Sequence, residues 1–305
     1  MSISAKDVKE LRDSTGAGMM DCKKALAESN GDLQGAIDYL RTKGLAKAAK
    51  KAGRVAAEGL VGCFVTKNGK EGAMVEINCE TDFVAKNDDF KSFVQELTEY
   101  VAQNNFASDE DLLNSNFKDG TLAETITNLT LKIGEKIALR RFQKVTVDDG
   151  YLASYSHGGK IGVLLRTQTD SDLSSNGPFT EAMKNICMHV AASDTRFVNS
   201  DEIDEGFKNK EAEIYAAQLK EEGKPENMID KIVQGKLNKM ASEICLMNQK
   251  FVMNPDQTVA KYIEEVTKDS GNATIKAFTK FTMGEGIEKK EDNLADEVAK
   301  MTRGN

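Results

Sequence analysis

The chain has 305 residues, of which 40% are hydrophobic and 30% charged, and its 41 basic and 49 acidic side chains give a net charge of −8. This composition predicts a globular protein of about two domains. The negative charge and the absence of Trp argue against a nucleic acid as the main ligand, because phosphate contacts need local positive charge and base stacking needs aromatic rings.

Neither a membrane span nor a signal peptide is predicted. The longest strongly apolar run, residues 161–165, is far too short to cross a bilayer, and the first ten residues lack the apolar stretch of a signal peptide. The five cysteines are scattered and form no CxxC motif. We therefore expect reduced thiols, no membrane association and a cytoplasmic location.

Residues 1–54 predict a small module of three helices. Ser4 and Asp7 have the spacing of a capping box, and Asp21 and Asp32 stand where they can cap the second and third helices. Since three short helices make only a marginal core, we expect this module to dock on the surface of another protein.

The end of this module, residues 41–54, carries six basic residues and no acidic one. One interpretation is an electrostatic contact with an acidic partner or with RNA. The other interpretation is a solvated linker helix, and the sequence is compatible with both.

The central chain contains the same series of elements twice, which predicts an α+β fold. One hairpin has an Asn-Gly turn of the primed type at 68–69, and a second has a Gly-Gly pair at 158–159. Each hairpin is followed by two helices and a strand, and this agreement in order favours a duplication over a chance likeness. We expect a three-stranded antiparallel sheet covered by helices in each of two subdomains, 55–148 and 149–283, with a binding surface along their junction.

The second copy carries an insertion at about residues 200–245. Apolar residues recur at helical spacing in two arms, and Gly223 and Pro225 break the pattern between them. This predicts a helical hairpin whose apolar stripe is closed either by its own arms or by a second molecule in a homodimer.

Sequence motifs of catalytic sites are missing. No Gly-Lys dipeptide is followed by Ser or Thr, as a phosphate-binding loop requires, and Gly16 and Gly18 follow a helical pattern instead of a strand. Only two histidines are present, His157 and His189, so a zinc site would need distant ligands. We therefore expect no catalytic residue, no metal and no cofactor, and a binding protein rather than an enzyme.

The loop at residues 78–88 places an aromatic ring beside acidic residues at the end of a strand. Phe83 in this position is either a plug of the core or an exposed wedge. In the second case its ring would enter an apolar pocket of a partner and the adjacent carboxylate would change the partner's electrostatics.

Four segments of the chain stand out together: TGAGMMDCKKA at 15–25, CETDFVA at 79–85, HVAAS at 189–193 and GEGIE at 284–288. In order and spacing, over essentially the whole chain, they closely resemble the elongation factor Ts family of bacteria. The strings TGAGMMDCKKA and TDFVA are characteristic of this family, unlike a lone glycine motif.

The resemblance implies a guanine-nucleotide exchange factor for elongation factor Tu, the GTPase that delivers aminoacyl-tRNA to the ribosome. It also implies a UBA-like N-terminal docking module, a two-part core, a hairpin used for dimer contacts in some members, and a C-terminal helical module at 284–305. The family's TDFV segment, which is implicated in dislodging the bound magnesium, corresponds to Thr81, Asp82, Phe83 and Val84. The other partner-binding positions that the resemblance carries over are Lys23, Ile161, Gly162, His189, Val252 and Met253.

Three positions depart from the family pattern. Glu80 stands where many relatives carry Gln, and Lys136 replaces an Asn. Lys250 stands where a Pro is usual, close to the contact expected at Val252.

Two other functions are compatible with single features of the chain. An RNA-binding translation protein would use the basic run at 41–54, and a metabolic enzyme would use His189 between the two halves. The net charge and the missing motifs disfavour both.

Overall fold

The computed structural model of the chain describes residues 3–15, 17–268 and 271–288. The N-terminal module consists of α1 (Ala5–Thr15), α2 (Met19–Glu28) and α3 (Leu33–Lys51). Its small core is formed by buried residues from all three helices, namely Val8, Leu11, Cys22, Ala25, Leu26 and Ala36.

Two of the three predicted helix caps are confirmed. Ser4 and Asp7 each accept a hydrogen bond from the other's main-chain N–H at 3.1 Å, and the Asp32 carboxylate accepts one from the Gly35 N–H at 2.9 Å. The prediction that Asp21 caps α2 is wrong. That helix begins two residues earlier, at Met19, so Asp21 lies inside its first turn, where a negative charge favours the positive end of the helix dipole.

Residues 41–51 of the basic run belong to α3, which ends at Lys51, and a helix is compatible with both interpretations of the run. The part of α3 around Arg41 and Gly44 packs on the first half of the core. Gly44 faces Leu131 so closely that a Cβ built on it would lie 2.3 Å from the leucine Cδ1, and Arg41 forms an ion pair with Glu124.

The first half of the core follows. Its elements are β1 (Glu58–Val65), β2 (Glu71–Cys79), α4 (Asp82–Lys86), α5 (Asp88–Gln103), α6 (Asp109–Asn114), β3 (Asn116–Phe117), β4 (Gly120–Thr121), α7 (Leu122–Ile133) and β5 (Ala138–Thr146). β1, β2 and β5 form an antiparallel sheet in that order. The apolar residues Phe90, Val94, Leu97 and Val101 recur at helical spacing on α5 and are buried against it.

The second half repeats this plan with the insertion. Its elements are β6 (Tyr151–His157), β7 (Ile161–Thr169), α8 (Gly177–Ala192), α9 (Glu205–Glu221), α10 (Glu226–Ile244), β8 (Lys250–Phe251), β9 (Asn254–Thr258), α11 (Val259–Thr267) and β10 (Ala273–Thr282). β6, β7 and β10 form the second antiparallel sheet, which α8 covers. The α+β fold with two three-stranded sheets is confirmed.

The repetition extends to details of strand pairing and capping. The pairing of β2 with β5 shifts register between Glu76 and Ile77, and the pairing of β7 with β10 shifts at the corresponding place. The hydroxyls of Thr121 and Thr258 cap the last helix of each half. The predicted repetition of elements is therefore confirmed.

The two sheets pack face to face, because each presents small or apolar side chains to the other. The cluster between them consists of Val61, Met74, Val147, Leu152, Leu164 and Phe281. The junction is thus a packed core and not the open binding surface expected from the two similar halves.

The turn of the first hairpin differs from the prediction. Gly69 has a φ of +66°, but Asn68 does not adopt a positive φ, so this is no two-residue primed turn. The Asn68 side chain instead accepts hydrogen bonds from the Thr66 hydroxyl at 2.6 Å and the Lys70 N–H at 3.2 Å. The turn is therefore a wider loop held by an asparagine side chain.

The inserted helical hairpin is confirmed, and its arms close on each other. Gly223, with a φ of +70°, ends α9 as the sequence break indicates. The arms share a cluster around Leu219, Ile229 and Val233. Ile214, which belongs to the predicted apolar stripe, points outward and is 41% exposed.

After β10, residues 283–286 form turns, and the rest of the predicted C-terminal helical module, residues 289–305, lies outside the described residues. Within the described part of the chain, no helix is both long enough and apolar enough to cross a membrane.

Candidate partner-binding surface

The loop after β2 exposes the ring of Phe83. The side chain is 78% exposed, so the alternative that it plugs the core is wrong. The next two residues point the other way, because Val84 is 7% and Ala85 4% exposed in the first core. The chain therefore presents one large aromatic side chain on a segment anchored by its neighbours.

The turn of helix that carries Phe83 is capped at both ends. Thr81 is the N-cap of α4, and its hydroxyl accepts a hydrogen bond from the Val84 N–H. Asn87 ends α4 and at the same time caps α5. These caps fix a helix of only five residues, a length that is unstable on its own in water.

Asp82 is the charged neighbour of the exposed ring. Its carboxylate accepts a hydrogen bond from Lys86 at 2.6 Å, which lowers the pKa of Asp82 below its usual value. The Lys86 ammonium also lies 5.8 Å from the centre of the Phe83 ring. The loop thus presents an ionised carboxylate and an apolar ring side by side at the surface.

His189 lies beneath the surface and not on it. It is 1% exposed, and its Nδ1 accepts the N–H of Val252 at 3.1 Å. Since a main-chain N–H can only donate, Nδ1 carries no proton, and Nε2 donates to the Gln249 side chain at 2.8 Å. Burial lowers the pKa of His189, although the bond to Gln249 opposes the shift, and the ring is held neutral.

The histidine holds a turn with two exposed apolar side chains. Val252 is 49% and Met253 57% exposed between β8 and β9. The preceding Phe251 is anchored by stacking on Tyr262, with the ring centres 4.3 Å apart. A partner would therefore contact Val252 and Met253 directly and His189 only through them.

The remaining predicted positions differ in exposure. Lys23 lies exposed on α2. Ile161 is half-buried at the start of β7, and Gly162 is buried against the first sheet. Gly162 therefore serves the packing of the two sheets and offers no surface to a partner.

Sequence reasoning missed two exposed residues beside Lys23. Met19 is 51% and Met20 76% exposed at the start of α2, whose buried face is formed by Cys22, Ala25 and Leu26. A signal was available for Met20, which is apolar but does not share the helical spacing of Cys22 and Leu26. Met19 has that spacing, so its exposure could not be read from the sequence.

Comparison with known proteins shows which family the chain resembles. Residues 80–285 match the family model described as Elongation factor TS. An elongation factor Ts of Clostridium perfringens is 49% identical over 302 residues, covering 98% of this chain and 99% of that one. Those of Clostridium botulinum strain Alaska E43 and Halothermothrix orenii are 47% and 48% identical, each covering 98% of both chains.

The chain belongs to the elongation factor Ts family. It is thus related to factors of translation elongation and protein biosynthesis. Two of the positions that depart from the family pattern contact each other, because the Lys136 N–H donates to the Glu80 carboxylate at 2.6 Å. The third, Lys250, lies exposed in β8.

The described part of this family member holds no group of three or more His, Cys, Asp or Glu residues that could bind a metal ion. Burial raises the pKa of Cys63 and of Cys79 to about 12, so both are protonated thiols. A nucleophilic cysteine needs a lowered pKa instead. The exposed side chains of Phe83, Val252 and Met253 are apolar, and exposed apolar side chains are suited to contacts with a partner.

Proposed function

We propose that this protein is a guanine-nucleotide exchange factor for elongation factor Tu, which it binds to promote the release of GDP. The observation that carries the proposal is the 78% exposed Phe83 on a capped and anchored loop. Membership of the elongation factor Ts family supports the choice of partner.

The mechanism is differential binding. The factor favours the nucleotide-free GTPase, and by linkage it weakens the affinity for nucleotide by the same factor. Each tenfold weakening needs about 1.4 kcal/mol of coupling. Burial of one Phe side chain contributes about 1.5–3 kcal/mol, so Phe83 accounts for one to two factors of ten. A larger acceleration requires the other contacts as well.

The Thr81–Val84 segment would act on the magnesium site of the GTPase. The exposed ring of Phe83 would enter an apolar pocket near the bound magnesium, and the ionised Asp82 would bring negative charge to the same place. Both effects would displace the groups that hold the ion and so weaken the binding of GDP. The protein would take part in no covalent step and would not act as an enzyme.

Further contacts would hold the complex together. The N-terminal module would dock through Lys23 with the exposed Met19 and Met20, which combine charge and apolar area on one side of α2. The second half would contribute Val252 and Met253, together with the half-buried Ile161. We place the complex in the cytoplasm, where elongation takes place.

The inserted hairpin supports a weaker proposal of homodimer formation. Its arms bury their own seam, yet Ile214 and Met228 remain 41% and 49% exposed on the outside. These residues would supply part of a dimer contact. A second function, binding of RNA through the basic half of α3, is disfavoured because Arg41 in this half already forms an ion pair with Glu124.

The deciding experiment is GDP release from elongation factor Tu, followed with a fluorescent GDP analogue with and without this protein. We expect a concentration-dependent acceleration that saturates. An unchanged release rate at micromolar concentration would refute the proposed function.

A further inference from the structure

A turn from a distant part of the chain holds the loop that carries Phe83. After α7 ends, Glu135 accepts two hydrogen bonds from Thr81. The Thr81 N–H donates to Oε2 at 2.9 Å, and its hydroxyl donates to Oε1 at 2.7 Å. Because one carboxylate binds both the main chain and the side chain of Thr81, it fixes the backbone position and the rotamer together.

Thr81 is also the cap of the short helix that exposes Phe83. While its hydroxyl donates to Glu135, the same oxygen accepts from the Val84 N–H at 3.5 Å. The Cys79 thiol donates to the Thr81 carbonyl oxygen at 3.1 Å. The residue that caps the first turn of α4, and so sets the position of the ring, is therefore held by the hydrogen bonds that Thr81 donates to Glu135.

The same turn binds the end of the N-terminal module. Lys136 donates its main-chain N–H to Glu80 at 2.6 Å, and Arg54 forms an ion pair with the same carboxylate at 3.2 Å. The Lys136 ammonium donates to the carbonyl oxygens of Ala52 at 2.6 Å and Arg54 at 2.9 Å. Residues 134–136 thus connect the segment after α3 with the loop that carries Phe83.

We propose that Glu135 is a positioning residue for nucleotide exchange, which presents the ring of Phe83 through its two bonds to Thr81. Since the loop is ordered before the partner arrives, binding does not have to order it. This inference rests on the proposed exchange function and identifies how its main contact is held in place.

The test is a double-mutant cycle with Glu135→Gln and Phe83→Ala, measured as GDP release from elongation factor Tu at saturating factor. An amide retains the shape of Glu135, but it loses the charge and one of the two acceptor oxygens. We expect Glu135→Gln to slow release about tenfold. In the Phe83→Ala background we expect no further loss, because both changes remove the same contact.

A second readout is the hydrogen exchange of the amides in residues 80–86 of the free protein. We expect faster exchange in Glu135→Gln and in Thr81→Val, which lacks the hydroxyl. The matched control is Asp111→Asn, because Asp111 also accepts a main-chain N–H, from Ala107 at 3.0 Å, but belongs to α6. This control should leave both the loop and GDP release unchanged.

The outcomes separate the two proposals. If the wild-type chain does not accelerate GDP release, the exchange function and the positioning role both fail. If the wild type is active and Glu135→Gln accelerates GDP release as well as wild type does, the positioning role alone is overturned. The same holds if Glu135→Gln slows GDP release by the same factor in the wild-type and Phe83→Ala backgrounds. Unchanged amide exchange in both Glu135→Gln and Thr81→Val would also overturn it.

Discussion

Gly162 lies against Val61 across the interface of the two sheets. A Cβ built on Gly162 would come within 2.5 Å of Cγ1 of Val61 and 2.7 Å of the Cys63 sulfur. At the same interface the turn of each hairpin bonds to a strand of the other half. The Val61 N–H donates to the Gly159 carbonyl oxygen, and the Leu152 N–H donates to the Gly69 carbonyl oxygen, both at 2.8 Å. These contacts make the two halves one packed unit.

Gly162→Ala is therefore expected to lower the free energy of unfolding by about 1–3 kcal/mol, because the added methyl group overpacks the interface. Chemical denaturation measures this change. The control is Gly235→Ala inside α10, where an added Cβ meets no atom within 4 Å. It should stabilise the protein by about 0.5–1 kcal/mol through helix propensity. Equal effects of the two substitutions would contradict the assigned packing.

Phe83→Ala is expected to leave the unfolding free energy within about 0.5 kcal/mol of wild type, because the ring is exposed. GDP release from elongation factor Tu should slow about tenfold or more, since the ring burial in the partner is lost. The control Phe90→Ala removes a fully buried ring and should cost about 3–5 kcal/mol of stability. A Phe83→Ala protein that unfolds, or that retains full exchange, would refute the role given to this ring.

Removal of residues 1–54 is expected to weaken complex formation while a cooperative unfolding transition remains, because the module has its own core. The melting temperature should fall, since α7 loses the contact between Leu131 and Gly44. Calorimetry and a binding titration measure the two effects. As a control, Arg41→Ala breaks only the exposed ion pair with Glu124 and should change stability by less than about 1 kcal/mol. Loss of the cooperative transition on truncation would show that the module is part of the core.

Replacement of residues 209–238 by a short Gly-Ser loop removes most of the hairpin but retains its base, where Ile203, Ile244 and Cys245 pack together. We expect exchange that depends on Phe83 to persist, because the hairpin contributes none of the residues assigned to the partner contact. If a dimer forms through the hairpin, light scattering should show a fall in mass to that of a monomer. Complete loss of exchange in a well-folded deletion would mean that the hairpin contacts the GTPase.

The neutral His189 is expected to make stability depend on pH. Its pKa is lowered by burial from the usual 6.5, so below that pH the unfolded chain binds a proton that the folded chain does not. The contribution of His189 is therefore complete above about pH 6.5 and is lost as the pH falls toward the folded-state pKa. Protonation would also remove the acceptor for the Val252 N–H.

Denaturation curves between pH 5 and 8, compared for wild type and His189→Gln, check this expectation. The variant should be less stable than wild type at pH 8, and its free energy of unfolding should fall less than that of wild type as the pH is lowered. Lys280 and Asp194 are charged groups near the end of α8 that carries His189. Both are present in wild type and in the variant, so the difference between the two curves reports on His189. The control His157→Gln, at the exposed end of β6, should keep the fall in stability at low pH. If His189→Gln has the same dependence of stability on pH as wild type, the neutral state assigned to the folded His189 is wrong.

Local sequence determined the elements and their order. The capping residues Ser4, Thr121 and Thr258 stand where the helices begin, and the apolar spacing of Phe90 and Phe179 marks the buried helix faces. These signals depend on neighbours within about four residues, so they are readable from the chain alone. The family resemblance added the positions Thr81–Val84 and Val252–Met253.

Tertiary structure alone decided which of these residues are exposed. Phe83 and Phe90 are the same residue type seven positions apart, yet one is 78% exposed and the other 0%. Phe90 is buried because α5 packs on the first sheet, whereas Phe83 stands on a turn whose first residue, Thr81, bonds to Glu135, 54 positions away. The burial of Gly162 and His189 likewise depends on strands and turns from distant parts of the chain, and no local pattern in the sequence encodes such contacts.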